Sequence, residues 1–222
     1  MLQALGVGGA ATIAGCQASS PENDVPGGQS STPGGRAKQV DADTVSADPR
    51  DIPDPIDRDE PATIQHTLTT QEVTAEIEPG VTFDYMTFDG QIPGPMIRAR
   101  VGDTIELTFE NPDGNNMPHN VDFHAIYGTG GGAVATTANP GNQNAMKFQV
   151  QYPGAYIYHC AVPNLDYHIS AGMFGMIVVE PEGGLDEVDH EFYLGQHELY
   201  TKKETGEEGH HGFDMQAMAN EN

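Results

Sequence analysis

The sequence has few cationic residues, few cysteines and no tryptophan. Only 9 lysine and arginine residues stand against 33 aspartate and glutamate residues, which gives a net charge of -24. Nucleic acid is therefore excluded as a partner, because binding to phosphates needs clustered cations. The only cysteines, Cys16 and Cys160, lie in segments of very different character, so we expect no disulfide between them.

The acidic residues are spread along the chain and do not form a single tail. One interpretation is an ordinary solvated acidic surface. The other is adaptation to high salt, where screening weakens the repulsion between like charges. We favour the second interpretation, so the source organism is expected to be a halophile.

Long apolar runs are also scarce, and residues 1–16 contain the one candidate. Residues 2–15 are small and mostly apolar, and the segment closes on Cys16, which resembles a lipoprotein signal with a lipobox. The run is too short to span a bilayer. We therefore predict export to the outer face of the cytoplasmic membrane or to a periplasm-like space, with a lipid anchor as the membrane attachment. The alternative is a core helix that contains a chance cysteine.

The rest of the chain divides by composition into three parts. Residues 17–60 are rich in Gly, Pro, Ser and Asp without hydrophobic periodicity, which predicts a disordered acidic linker. Residues 61–182 carry short β-branched and aromatic runs between turn signals, which predict an all-β sandwich or barrel. Residues 183–222 are acidic again, and 190–201 are a further candidate strand. The other predicted strands are 63–67, 73–77, 82–87, 96–100, 104–110, 146–150, 155–159 and 176–180.

Within the β region, the order and spacing of four residues indicate a blue-copper site. Such sites use two histidines and one cysteine in a near-trigonal arrangement, with a weak axial methionine. His119 comes first, and the later run supplies Cys160, His168 and Met173 in a Cys-x7-His-x4-Met spacing. A strand end and the loop after it can bring these later residues to one metal, while a neighbouring strand supplies His119. The alternative is a buried free cysteine with unrelated neighbours.

Two further histidines indicate a second metal site beside the first. His159 precedes Cys160, and adjacent side chains of a strand point to opposite faces. His119 and His124 are five positions apart, so an extended segment also places them on opposite faces. The outward pair, His124 and His159, is predicted to share a second copper with open coordination positions. Asp122 is two positions from His124, so an extended segment points both side chains to the same face. Asp122 is therefore a candidate proton donor, and the alternative is an ordinary solvated carboxylate.

These motifs resemble the copper-containing nitrite reductases. That family carries the Pro-His-Asn-x-Asp-x-His and His-Cys motifs as they stand here, and the similarity extends over about residues 63–215. The matching segments are 87–95, 98–103, 118–124, 130–132 and 159–160. The resemblance implies an all-β, cupredoxin-type Greek-key sandwich or barrel at 61–182. It also implies reduction of nitrite to nitric oxide, with electrons supplied by a small blue-copper protein or a cytochrome.

The resemblance also assigns roles residue by residue. It implies that type 1 copper is held by His119, Cys160, His168 and Met173. Type 2 copper would be held by His124 and His159, with Asp122 delivering protons. The electron would pass between the coppers through the Cys160–His159 link.

In this family a second cupredoxin domain supplies further active-site histidines across a trimer interface. Residues 183–222 are interpreted as the connection into such a domain, so we expect a fragment or a truncated gene product with little activity alone. A single-domain blue-copper electron carrier is the alternative, and other multicopper oxidases fit less well because no paired His-x-His motifs occur. The remaining histidines are predicted to be surface residues: His66, His190, His197, His210 and His211.

Overall fold

A computed structural model describes residues 45–128 and 130–220. The predicted lipoprotein signal at 1–16 and most of the predicted linker lie outside these residues. Among the described residues, no helix is long and apolar enough to cross a membrane. The strands are β1 (Thr63–Glu78), β2 (Val81–Phe88), β3 (Ile97–Arg100), β4 (Thr104–Asn111), β5 (Asp122–Phe123), β6 (Asn142–Gln149), β7 (Gly154–His159), β8 (Phe174–Glu180) and β9 (Gly209–His211). The helices are α1 (Ala133–Thr136), α2 (Leu165–Ser170) and α3 (Met215–Asn220).

Two sheets enclose the core. One sheet has the order β6-β4-β1-β2-β9 and the other has the order β3-β8-β7-β5. Strand β4 alternates between partly exposed and buried residues, which places Ile105, Leu107 and Phe109 in the core. This alternation is typical of a sheet that has one face on the core and one in solvent. The predicted all-β sandwich is confirmed.

Strand β1 joins two of the predicted strands into one. Its first part, up to Thr69, pairs with β4 in parallel, and from Thr70 it pairs with β2 antiparallel. The runs 63–67 and 73–77 are therefore one 16-residue strand that changes partner in the middle. The other predicted strands of the β region are present, with ends that differ by a few residues.

The linker prediction is wrong for residues 45–60. Ile92 N donates to Val45 O at 2.5 Å, and Ala47 N donates to Ile92 O at 2.9 Å. Arg58 forms an ion pair with Asp103, whose carboxylate is fully buried. The segment is polar and acidic, but these specific hydrogen bonds and ion pairs replace the apolar burial that it lacks.

The predicted strand at 190–201 is also wrong. Isolated hydrogen bonds and an ion pair hold this segment, and it does not form the repeated backbone hydrogen bonds of a strand. Tyr193 N donates to Pro49 O at 2.9 Å, and Glu191 accepts two hydrogen bonds of 2.9 Å from Arg98. Arg98 also reaches the buried Glu180 at 3.1 Å. The later residues form β9 and α3, which the sequence did not predict.

Candidate metal centres

Three of the four predicted blue-copper ligands converge on one buried point. His119 lies just before β5, Cys160 directly follows β7, and His168 is in α2. Cys160 Sγ is 3.9 Å from His119 Nδ1 and 3.6 Å from His168 Nδ1. All three residues have no exposed surface. Their ligand atoms lie within 4.8 Å of one another.

The loop from Cys160 to Met173 folds back on itself by backbone hydrogen bonds. Cys160 N donates to Met173 O at 3.1 Å, and Met173 N donates to His168 O at 3.0 Å. Both bonds join two of the predicted ligands directly. Met173 is fully buried in the same core cluster as Cys160. The predicted axial residue is therefore hydrogen-bonded to Cys160 through the backbone and lies in the same buried cluster.

Burial controls the charge of this cluster. Burial, with a smaller contribution from the nearby His119, lowers the pKa of His168 to about 4. Burial also lowers the pKa of His119, although the Glu72 carboxylate opposes that shift. Both imidazoles are therefore neutral near pH 7, which leaves a nitrogen lone pair free on each ring. Burial raises the pKa of the Cys160 thiol, so its ionisation needs a strong local cation.

The geometry of the cluster fits a copper ion. Metal–thiolate and metal–imidazole bonds of about 2.3 and 2.0–2.1 Å at a trigonal angle put sulfur and nitrogen about 3.8 Å apart. The two observed separations, 3.9 and 3.6 Å, lie on either side of that distance. One soft sulfur with two imidazoles is the donor set of blue copper. A bound cation would also compensate the raised thiol pKa.

The second cluster lies on the outer side of the same strand. His124 Nε2 is 3.1 Å from His159 Nε2, and Asp122 Oδ1 is 3.9 Å from His124 Nε2. The side chain of His124 is 52% exposed, so small molecules can reach it from solvent. Two imidazole nitrogens 3.1 Å apart fit one metal at an angle of about 100°, given metal–nitrogen bonds of about 2.05 Å.

Strand pairing places the members of this second cluster. Asp122 of β5 stands directly opposite His159 of β7, and His124 N donates to Ile157 O at 3.1 Å. The His159 ring nitrogen Nδ1 lies 2.9 Å from Cys160 O. A carbonyl only accepts, so this contact puts the proton on Nδ1 and directs the Nε2 lone pair toward His124. The parity argument from the sequence therefore describes the observed arrangement.

Gly131 leaves room for the Asp122 carboxylate. A Cβ atom at Gly131 would lie 2.3 Å from Asp122 Oδ1, and its φ of 29° is in the left-handed region. Gly131 O also accepts a 2.8 Å hydrogen bond from Phe123 N. Only glycine lets the loop approach this closely. The glycine at position 131 therefore has a physical cause in the second cluster.

Comparison with known proteins identifies the family of the chain. A sequence model described as multicopper oxidase matches residues 69–184, more than half of the chain. The chain belongs to the multicopper oxidase family. Family members are copper proteins, in accordance with the donor sets of both clusters.

Two relatives of this chain are named copper-containing nitrite reductase. The one from Neisseria meningitidis serogroup B is 48% identical over 183 residues, which cover 82% of this chain and 46% of that protein. The one from Rhizobium meliloti is 36% identical over 153 residues, which cover 65% of this chain and 41% of that protein. This chain thus spans less than half the length of either relative.

A solved multicopper oxidase structure has a similar fold. It is 28% identical and superposes with a TM-score of 0.51 over 59% of this chain and 46% of its own. The cupredoxin-type fold inferred from the sequence is therefore confirmed for the described residues.

Two residues that contact the first cluster were not predicted. Glu72 of β1 accepts from His119 Nε2 at 3.1 Å, and Asn120 Oδ1 accepts from Ala161 N at 2.7 Å. Asn120 Oδ1 also lies 3.8 Å from Cys160 Sγ. Asn120 is inside the recognised motif, so its position was a usable signal. Glu72 is 47 positions from His119 and gave none.

The other histidines do not join either cluster. His190 and His210 are exposed as predicted, but His211 is only 2% exposed, so its surface prediction is wrong. Its Nε2 contacts Glu207 O at 2.6 Å, which compensates the burial. His66 and His197 are half-buried, and burial lowers the pKa of each.

Proposed function

We propose that the protein takes part in copper-dependent reduction of nitrite to nitric oxide. The observation that carries this proposal is the junction of the two clusters: Cys160 belongs to the buried one and its neighbour His159 to the exposed one. The names of the relatives support the choice of nitrite as substrate. One-electron reduction of nitrite consumes one electron and two protons and releases nitric oxide and water.

The residues divide this work between them. His119, Cys160, His168 and Met173 would hold a type 1 copper, and His124 with His159 would hold a type 2 copper. Bound copper would supply the one-electron redox chemistry. The exposure of His124 would let nitrite enter, and the peptide bond between residues 159 and 160 is the shortest covalent connection between the clusters. Asp122, which is 3.9 Å from His124 Nε2, would donate a proton to the nitrite oxygen that leaves as water.

An electron-carrier function without catalysis is the second candidate. The buried cluster alone would serve it, because burial excludes water and favours small rearrangement around the metal. The Asp122–His124–His159 cluster favours the enzyme, because a carrier needs no exposed second set of ligands.

Several features of the whole protein belong to the same proposal. The electron donor would be a small blue-copper protein or a cytochrome, and the full-length form would be a homotrimer. The protein would be exported and attached by a lipid at Cys16. The acidic surface would suit a salty environment, in accordance with the net charge of -24.

Visible and electron paramagnetic resonance spectra of the copper-loaded protein test this function, with and without nitrite. We expect an intense thiolate-to-copper band and a separate, nitrite-sensitive Cu(II) signal. Cys160→Ser should abolish the band, and His124→Ala should abolish the nitrite-sensitive signal but keep the band. A wild-type protein with the band and no nitrite-sensitive signal would mean either the carrier or one half of an enzyme whose second domain completes the type 2 site.

A further inference from the structure

Glu72 makes an unusual set of contacts beside the first cluster. Its Oε1 atom accepts from Met117 N at 2.8 Å and Asn116 N at 3.0 Å, and His119 Nε2 lies 3.1 Å away. Its Oε2 atom accepts from Asn116 Nδ2 at 2.9 Å. The Glu72 side chain is only 15% exposed. One carboxylate of β1 therefore holds both the loop before His119 and the His119 ring.

This contact determines which ring nitrogen of His119 carries the proton. An ionised carboxylate accepts hydrogen bonds and donates none, so His119 Nε2 must be the donor. A neutral imidazole has one proton, and its Nδ1 atom therefore presents a lone pair. That atom is the one that faces Cys160 Sγ, at 3.9 Å. The carboxylate thus prepares His119 for a metal before any metal binds.

The other histidine of the cluster has no such partner. His168 also turns Nδ1 toward Cys160 Sγ, at 3.6 Å. Its Nε2 atom is buried without a hydrogen-bond partner among the described residues. Within the described part of the chain, no carboxylate or carbonyl accepts a hydrogen bond from the His168 ring, and its polar contact is the weakly hydrogen-bonding Cys160 thiol. The two ligating rings therefore differ in how firmly the protein sets their protons.

We propose that Glu72 is a positioning residue of the first metal centre, which fixes the Nε2–H tautomer and the ring orientation of His119. The inference rests on the proposed function for the assignment of His119 as a copper ligand. Carboxylates that accept from the outer nitrogen of a ligating histidine typically change metal affinity by about 10- to 100-fold. The negative charge beside the site also stabilises the more oxidised metal, so it lowers the reduction potential.

The chain offers matched variants for the test. Glu72→Gln removes the charge but keeps the shape, and the side chain lines an open pocket of about 290 Å³, so a change there leaves no buried void. Glu76→Gln makes the same change four positions along β1, where the carboxylate accepts a 3.4 Å hydrogen bond from Gly80 N and does not contact His119 among the described residues. Asn116→Ala loosens the loop but keeps the Glu72 carboxylate next to His119.

The first measurement is nitrogen-15 NMR of the histidine rings in the metal-free protein. We expect a single Nε2–H tautomer for His119 in the wild type, in Glu76→Gln and in Asn116→Ala. We expect a mixture in Glu72→Gln, because a glutamine amide can either accept from Nε2–H or donate to an unprotonated Nε2. His168 should be a mixture throughout. An Nδ1–H tautomer of His119 in the wild type would overturn the proposal. So would a mixture in Asn116→Ala equal to that in Glu72→Gln, because the carboxylate would then act only by holding the loop.

The second measurement uses copper titrations and the reduction potential of the loaded protein. Glu72→Gln should weaken copper binding about 10- to 100-fold and raise the potential, whereas Glu76→Gln should change neither. Equal values for the two variants would overturn the proposal. A wild type without the thiolate-to-copper band would instead refute the proposed function, and the tautomer of His119 would still be decided by NMR.

Discussion

The close approach of Gly131 to Asp122 allows one substitution to test how the loop positions the second cluster. An alanine Cβ would lie 2.3 Å from Asp122 Oδ1, whereas ordinary contacts begin near 3.4 Å. The Asp122 carboxylate must therefore move by about 1 Å, or the loop must move instead. Gly130 provides the matched control, because it has a left-handed φ of 77° and a Cβ there would meet nothing within 4 Å.

The expected losses of unfolding free energy have two sources, backbone strain and steric overlap. A left-handed backbone costs a non-glycine residue about 1–2 kcal/mol, and this cost applies to both variants. Overlap in a packed region adds about 1–3 kcal/mol, and it applies only to Gly131→Ala. Urea unfolding should therefore show a loss of about 1–2 kcal/mol for Gly130→Ala and about 2–5 kcal/mol for Gly131→Ala.

A double-mutant cycle identifies the partner in this overlap. Asp122→Ala removes the carboxylate that the new methyl group would meet, so it should recover about 1–3 kcal/mol when combined with Gly131→Ala. The nitrite-sensitive Cu(II) signal should change in Gly131→Ala, while the thiolate band of the buried cluster stays. Equal losses in the two glycine variants, or additive effects with Asp122→Ala, would refute the reasoning.

Three further predictions concern stability. Arg98→Met should cost about 3–5 kcal/mol in urea unfolding, because the buried Glu180 carboxylate loses its ion pair with Arg98. Lys147→Ala at an exposed ion pair should cost at most about 1 kcal/mol, and similar losses in the two variants would contradict the prediction. Burial lowers the pKa of His66, although Asp89 opposes the shift, so the folded state binds fewer protons than the unfolded state as the pH falls below 6.5. Stability should therefore decrease downward from pH 6.5, and His66→Gln should reduce that decrease; an unchanged profile would count against it. Finally, unfolding free energy should rise between 0.1 and 1 M NaCl, because the Debye length shortens from about 10 to 3 Å; a flat response would weaken the halophile interpretation.

The sequence predicted which candidate ligands come together because most of the determinants are local. Cys160, His168 and Met173 lie on one short loop, so their order and spacing already constrain them to one metal. The opposite placement of His159 and Cys160 follows from the two-residue repeat of a strand. His119, Asp122 and His124 come from another segment, and the motif at 118–124 supplied that information.

The parts that the sequence did not predict depend on contacts between distant segments. The contact between Glu72 and His119 arises because β1 lies beside the loop that precedes His119, and no local pattern encodes that neighbour. Residues 45–60 were interpreted as disordered from their composition, yet Arg58 forms an ion pair with the buried Asp103. A polar segment can be ordered by a few charged partners, and composition alone does not reveal those partners.

Strand β7 has a different relation to each of the two centres. The pairing of β7 with β5 determines where Asp122 and His124 stand relative to His159, so it sets the exposed cluster. The loop that follows β7 sets the buried cluster through the hydrogen bonds between Cys160 and Met173. Substitutions in β5 and in the loop should therefore affect one centre each. Only a change at the junction of residues 159 and 160 should disturb both, since that peptide carries a ligand of each cluster on opposite faces.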